Sequence, residues 1–459
     1  MMSHAKTSKS YEMDMCNGPL LGKIIIYALP LMLSGVLQLT FNAVDLIVVG
    51  RYAGSGPLAS VGSTSALINL MLNLFIGLSV GANVLVANYY GAGEKKNLTE
   101  TIHTAVTLSI AAGFLLIFVG FFLARPILVL MGTPEDILDG AVLYIRIYFA
   151  GMPVIMFYNF GSAILRAIGD TRRPLYYLCT AGVINIFLNL IFVCLLNLSV
   201  AGVALGTVLS QLVSASLLAH ALLTMDSDCR VELKKLKITP DKLAKIARIG
   251  LPAGLQGCLF SLSNVLIQSS INSFGSTVVA GNTAAANLEG IVYCGMNSVY
   301  QTALSFVGQN YGAGKIDRLK RIAFICLGVV TVIGLVLGGT VTLLGDTLLR
   351  LYGTNDEETA YGLIRLHYIC RVYFLCGIMD VFVGLMRGMG YAVAPMIVSL
   401  TGACLLRIVW ILTVFRFFGT LESLYLSYSV TWVVTATVHC ICFVRAYKKK
   451  REMMPATAD

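Results

Sequence analysis

Apolar residues in this chain run on for 20 or more positions at a time, broken by short polar stretches. Twelve such runs can be marked, near 24–49, 57–87, 101–123, 137–160, 175–196, 201–223, 246–274, 280–308, 321–345, 360–386, 393–418 and 424–446. A helix that crosses a bilayer needs roughly 20 predominantly apolar residues. A membrane β-strand uses only about 10, so these runs read as helices. The predicted fold is an all-α polytopic membrane protein with twelve transmembrane helices. The longest polar interruption, 224–245, divides the twelve into six and six.

The two halves repeat each other. Tyr90-Gly91-Ala92-Gly93 recurs as Tyr311-Gly312-Ala313-Gly314, and Gly132-Thr133 as Gly353-Thr354. Arg166, Gly169 and Pro174 recur as Arg387, Gly390 and Pro395, all at an offset of 221. Near the start of each half the offset is 222: Leu29-Pro30, Gly35 and Asn42 match Leu251-Pro252, Gly257 and Asn264. An even number of spans per copy returns the chain to its starting side. The copies then share one orientation, related by a pseudo-two-fold axis along the membrane normal, with a cavity between them. The expected divisions are an N-terminal segment 1–23, a six-helix lobe 24–223, a linker 224–245, a second lobe 246–446 and a tail 447–459. The linker reads as polar, basic and long enough to let two bundles rock. The matched residues read as structural: glycines at helix ends and prolines at helix starts.

Composition agrees with a membrane class: 57% of residues are hydrophobic, 12% are charged, and the mean hydropathy is +0.81. The net charge of +10 would suit a nucleic-acid partner, but its placement says otherwise. Of 33 Lys and Arg, 25 lie in the termini and every second connection, and four (Arg51, Arg125, Arg350, Arg416) in the alternate ones. That is the positive-inside pattern. It predicts a multi-pass protein of the cell (inner) membrane with both termini in the cytoplasm, and a lipid rather than a nucleic-acid environment. No short apolar core with a cleavage site marks a signal peptide. The 12 cysteines show no paired spacing and read as small packing residues. The histidines form neither a ligand spacing nor a hydrolytic triad. "GQNYGAGK" fails as a phosphate loop, because five residues separate Gly308 from Gly314 and Ile316 stands where Ser or Thr would hold magnesium. No resident cofactor or metal is expected, and no enzymatic activity.

A carboxylate inside an apolar span is expensive and usually functional. Asp45, in "FNAVDLIVVG", maps to Ile267 in the second copy, so the fold can be built without it. At 1.5 Å per residue, Asn185 lies about 16 Å and Asn189 about 22 Å up the fifth helix from Pro174. The two are four residues apart and share a face. Thr207 falls near the same depth on the sixth helix. The mapped partners of Asn185, Asn189 and Thr207 are Leu406, Trp410 and Tyr428, so this polar set is peculiar to the first half. The second half holds its own set: Glu289, Asp380, Arg371 and Arg407. Both signs occur there, so mutual pairing competes with a functional role.

The stretches "LPLMLSGVLQLTFNAVDLIVVG", "LRAIGDTRRP" and "MRGMGYAVAP" resemble the multidrug and toxic compound extrusion (MATE) family of secondary transporters, and nearly the whole chain takes part. The resemblance implies efflux of organic, often cationic, amphiphilic compounds in exchange for sodium or protons, by alternating access of two lobes in a monomer. It points to the DNA-damage-inducible-like prokaryotic branch, whose cation site falls on Asp45, Asn185, Asn189 and Thr207. Asn189 stands where that branch usually has a second aspartate, and the position of another branch's sodium-linked glutamate is near Phe260. Without a second carboxylate, like-charge repulsion is absent, and the coupling ion, H+ or Na+, stays open. A flippase for lipid-linked sugars is the alternative transporter; a passive channel would show flux without ion dependence.

Overall fold

The computed structural model describes residues 11–225 and 227–453. The first ten residues, Asp226 and the end of the tail lie outside it. Nearly all the rest is helical. We number the long helices α1 (Leu20–Ala53), α2 (Gly56–Ala92), α3 (Lys95–Leu130), α4 (Glu135–Ala150 with Met152–Ala167), α5 (Arg172–Leu195), α6 (Ser199–Thr224), α7 (Pro240–Asn272), α8 (Ser276–Gly312), α9 (Ile316–Leu343), α10 (Asp356–Val372 with Phe374–Gly388), α11 (Val393–Phe418) and α12 (Leu421–Met453). Nine are long and apolar enough to cross a membrane singly, and the bent pairs in α4 and α10 raise that to eleven. The twelfth, α8, has 37 residues. It is interrupted by Asn282, Asn287, Glu289 and Asn297, which lower its hydropathy.

Local chemistry accounts for the ends and breaks. α2 ends at Gly93, with φ 70°, a left-handed conformation that glycine adopts without the usual Cβ clash. α10 starts with a reciprocal capping box, Asn355 accepting from the Glu358 amide and Glu358 from the Asn355 amide, each at 2.9 Å. α4 bends by 50° after Gly151, where Pro153 follows, and α10 bends by 46° at the equivalent place, after the 3-10 turn Cys370–Val372 and without a proline.

The two repeats meet about a two-fold seam. A Cβ on Gly91 would lie 2.0 Å from the Gln309 carbonyl, and one on Gly312 would lie 1.9 Å from the Asn88 carbonyl. These are the same contact made twice, with the copies exchanged. A Cβ on Gly35 would lie 2.9 Å from Cys294 and one on Gly257 3.3 Å from Asn73, again equivalent pairs. Glycine is needed where helices approach this closely. The repeated glycines therefore do more than end helices: they build the interface between the halves. The seam is tight toward the face that carries both termini, where a Cβ on Gly77 would lie 2.1 Å from the Gly254 backbone nitrogen.

α1 crosses the division expected from sequence. Its start (Leu20, Ile24, Tyr27, Leu31) is buried in the core of the second half, together with Met15. Its later part lies on α5, where Phe41 meets Gly182. The segment between α6 and α7 is also more than a tether. Glu232 N–H donates to His103 Nε2 at 3.0 Å and Thr239 N–H to Thr104 Oγ1 at 3.1 Å. Buried Lys242 donates to Asn97 Oδ1 at 2.6 Å and to Asp241 at 3.2 Å. These contacts join the connection and the start of α7 to α3.

Candidate functional site

Two polar sites stand inside the bundle, one in each half. In the first half, α1 carries Asp45 and α5 carries Asn185 and Asn189 one turn apart. Asn189 Nδ2 donates to Asp45 Oδ1 at 2.5 Å and lies 3.3 Å from Asn185 Oδ1. Asn189 is fully buried, and its own Oδ1 has no hydrogen-bond partner. A Cβ on Gly206 would come within 2.2 Å of that oxygen, so only glycine on α6 lets Asn189 stand there. Beyond the site both helices widen into π-helical turns, Val49–Ala53 on α1 and Leu190–Leu195 on α5, which pack against each other. Such turns often mark functional positions.

The structure thus brings together Asp45, Asn185 and Asn189. Thr207 differs: its hydroxyl donates to Val203 O at 3.0 Å within α6, and its neighbour Gly206 is the residue that touches Asn189. Arg146, the one cation inside a first-half span, is exposed and sits over the Phe121 ring at 5.1 Å. No ion pair to Asp45 occurs within 4.0 Å among the described residues. One carboxylate and two amide oxygens, one of them the orphaned Asn189 Oδ1, make a hard-oxygen set that suits a small cation or a proton held on Asp45.

The second half encloses a cavity of about 600 Å³ between α7, α8, α10, α11 and α12, with Asn73 of α2 at its edge. Glu289, Asp380 and Arg407 line it, as do Arg365 and Arg387. The expected pairing is only partly correct. Glu289 is paired, but with Arg365: Nε and Nη2 donate to Oε2 at 3.0 and 2.6 Å, and Nη1 donates to Asn282 at 2.7 Å. Arg371, expected in this cluster, is exposed and lines a separate surface groove with His367, Tyr368 and Glu422. The cause is the helical period: six residues past Arg365, and inside the short 3-10 turn Cys370–Val372, Arg371 has rotated off the inner face. Arg407 contacts neither Glu289 nor Asp380 within 4.0 Å among the described residues. It donates to Thr431 Oγ1 at 3.2 Å and lies over the Tyr428 ring at 4.0 Å. Removing Arg407 therefore strips no ion-pair partner from either carboxylate.

Arg387 lies in the last turn of α10, beside its end at Gly388. It is buried in the cavity wall, donating to Tyr300 Oη at 2.8 Å and Gln256 Oε1 at 2.9 Å. An aromatic ladder completes the wall: Tyr293 and Tyr373 are 6.4 Å apart, Tyr373 and Trp432 5.2 Å, and Trp432 and Tyr428 5.5 Å. Single aromatic residues scattered over three helices give no linear signal.

Twelve long helices, eleven of them apolar enough to span a membrane when each bent pair counts as one, in two equivalent halves with a polar cluster in one and an amphiphilic cavity in the other, define a polytopic membrane protein. Comparison with known proteins names its family. The MatE pattern matches residues 30–191 and again residues 252–413, one copy per half. The "Probable multidrug resistance protein YoeA" of Bacillus subtilis (strain 168) is 30% identical, over 82% of this chain and 82% of its own length. The "Probable multidrug resistance protein YpnP" of the same organism is 28% identical over 86% of this chain and 88% of its own. A solved structure described as the outward-facing conformation of a multidrug resistance MATE family transporter superposes with a TM-score of 0.89, at 21% identity, covering 95% of this chain and 98% of that one. The chain belongs to the MATE (MatE) family of multidrug efflux transporters and is a multi-pass membrane protein.

Proposed function

We propose that the protein is a cation-coupled antiporter, in which Asp45 carries the coupling ion and organic amphiphiles leave the cell in exchange for H+ or Na+. The observation that carries this reading is the Asp45–Asn189–Asn185 cluster, with the unpartnered Asn189 Oδ1, in one repeat only. A buried carboxylate without a fixed counter-charge favours neutralisation, by a proton or a bound cation. Charged and neutralised Asp45 favour different packings of α1, α5 and α6. The ion drives the change only through its differential affinity for the two states. With both termini in the cytoplasm, as the basic-loop asymmetry supports, the tight seam closes the cytoplasmic side. This arrangement is then the one open outward. The multidrug names of the relatives support organic amphiphiles as cargo, and the lipid bilayer is the medium that delivers them. We read it as a monomeric carrier without enzymatic chemistry, its inter-half connection at 224–245 lying between lobes 24–223 and 246–446. A flippase for lipid-linked sugars would call for a strongly basic cavity, whereas here three arginines face two carboxylates.

The test is uphill transport of ethidium by purified protein in proteoliposomes, under sodium and proton gradients imposed in turn. Asp45→Asn keeps the shape and removes the titration. It is expected to insert normally and still bind ethidium, but not to concentrate it. Wild-type accumulation by Asp45→Asn under either gradient would place the coupling site elsewhere, with Asp380 next to examine. Ethidium flux in the wild type that ignores both gradients would point to a passive channel.

A further inference from the structure

We propose that residues 11–18, ahead of α1, form a latch: they tie the two halves together across the terminal face, and residues 11–13 must leave the first half before that face can open. The segment touches both halves. On the first half, Tyr90 Oη of α2 donates to Glu12 Oε2 at 3.0 Å, and Arg173 of α5 lies over the Tyr11 ring at 5.3 Å. Met13 runs against Gly169, between α4 and α5, where an added Cβ would lie 2.5 Å from the Met13 carbonyl oxygen. On the second half, Met15 is fully buried in the core. Asn310 of α8 donates to Met15 O at 3.0 Å. Lys315 donates to Cys16 O at 3.0 Å and to Asn17 Oδ1 at 2.6 Å, and Arg318 to Gly18 O at 3.3 Å.

Only Asp14 separates Met13 on one half from Met15 on the other. Two residue steps span at most about 7 Å when fully extended, so the halves cannot part further without breaking one set of contacts. The second-half set is the stronger anchor. It buries a whole side chain, holds three carbonyl groups and continues into α1, whose start lies in the same core. The first-half set is one hydrogen bond, one cation over a ring and the packing of Met13 on Gly169, so it is the end that releases. The segment also covers the bonds that close the seam. Ser305 Oγ donates to Asn83 Oδ1 at 3.3 Å and Gln309 Nε2 to Ala167 O at 2.7 Å, both between halves, and Cys16 Sγ lies 4.0 Å from Gln309 Oε1. The repeat shows that this cover is an addition. Gly390 is the counterpart of Gly169 and shares its positive φ, 87° against 101°, as a helix end favours. Yet nothing lies within 4 Å of a Cβ built on Gly390.

The experiment reads how often the terminal face opens. Ser305, 1% exposed, is replaced by cysteine on a cysteine-free background, which puts a single thiol inside the seam. That thiol meets N-ethylmaleimide only while the halves are apart. In nanodiscs, with neither cargo nor gradient, its labelling rate follows the open fraction when opening and closing are fast. Tyr11→Ala/Glu12→Ala removes both side-chain ties to the first half from the strap's side, and is expected to speed labelling about tenfold over the reporter alone. Tyr90→Phe cuts the same hydrogen bond from the other side, and is expected to speed it about threefold to fivefold. Lys315→Met removes contacts that persist when the face opens, so its rate is expected to stay within about twofold of the reporter's. A second reporter, Ser109→Cys, fully buried on α3, is expected to keep its slow rate in every variant. Unchanged labelling at 305 in the strap variant overturns the proposal. Equal acceleration at 109 and 305 also overturns it, because the segment then stabilises the fold as a whole and not the closed face. Acceleration by Lys315→Met as large as that of the strap variant would show that the segment leaves the second half, and removes the assignment of the releasing end.

Discussion

Asp45 and Glu289 are both carboxylates inside apolar helices, and they end in different company. Asp45 meets only an amide; Glu289, 8% exposed, meets a guanidinium 76 residues away that is 7% exposed. Breaking a buried ion pair from one side leaves an uncompensated charge, at about 3–5 kcal/mol. Arg365→Met should therefore lower unfolding stability in detergent by about that amount, with Arg365→Met/Glu289→Gln recovering a large part of it. A single variant as stable as wild type would show that Glu289 is neutral in the fold. Asp45 was legible in the sequence because it interrupts an apolar run and has no copy in the repeat. Asn185 and Asn189 were legible from their i, i+4 spacing on a neighbouring span. Arg365 was not, because pairing across helices depends on how each is rotated, and a difference of six residues sends Arg371 to the surface instead.

At the scale of elements, the breaks are symmetric and the connection is not. The fourth helix of each half bends at the equivalent place, by 50° and 46°, so the bend belongs to the repeat. The segment between the halves looked like a hinge from its composition, yet it is clamped to α3 through His103, Thr104 and Asn97. Lys242 is 4% exposed and supports that clamp from the first turn of α7. Lys242→Met keeps the aliphatic stem and removes its polar contacts, leaving Asn97 short of a donor. We expect a loss of about 1–3 kcal/mol and faster limited proteolysis between 227 and 239. An unchanged cleavage rate would mean that the backbone bonds alone hold the segment. Relative motion of the halves has to be taken up elsewhere, and α1, which packs in both, is placed to feel it.

For the whole molecule, the seam between the halves is what selects one arrangement over another. The contacts of Gly91 with Gln309 and of Gly312 with Asn88 leave no room for a methyl group. Gly312→Ala should disfavour this closed terminal face while barely touching either half's own core. Spin labels at Lys96 and Lys320, both exposed on that face, on a cysteine-free background, would report the change as a shift to longer distances. An unaltered distance distribution would show that the seam does not set the balance between states.

The apolar runs were enough to specify twelve helices, since a bilayer leaves no other way to satisfy the backbone of so apolar a chain. The offsets of 221 and 222 were enough to specify two equivalent halves, because duplicated residues keep their spacing along the chain. The lone Asp45 declared itself by its cost. The partner of each buried charge, the burial of Arg387, the isolation of Arg407 and the meeting of repeated glycines across the seam came only with the tertiary structure. Each depends on helix rotation and on distances between segments far apart in the chain, and side-chain packing alone decides those.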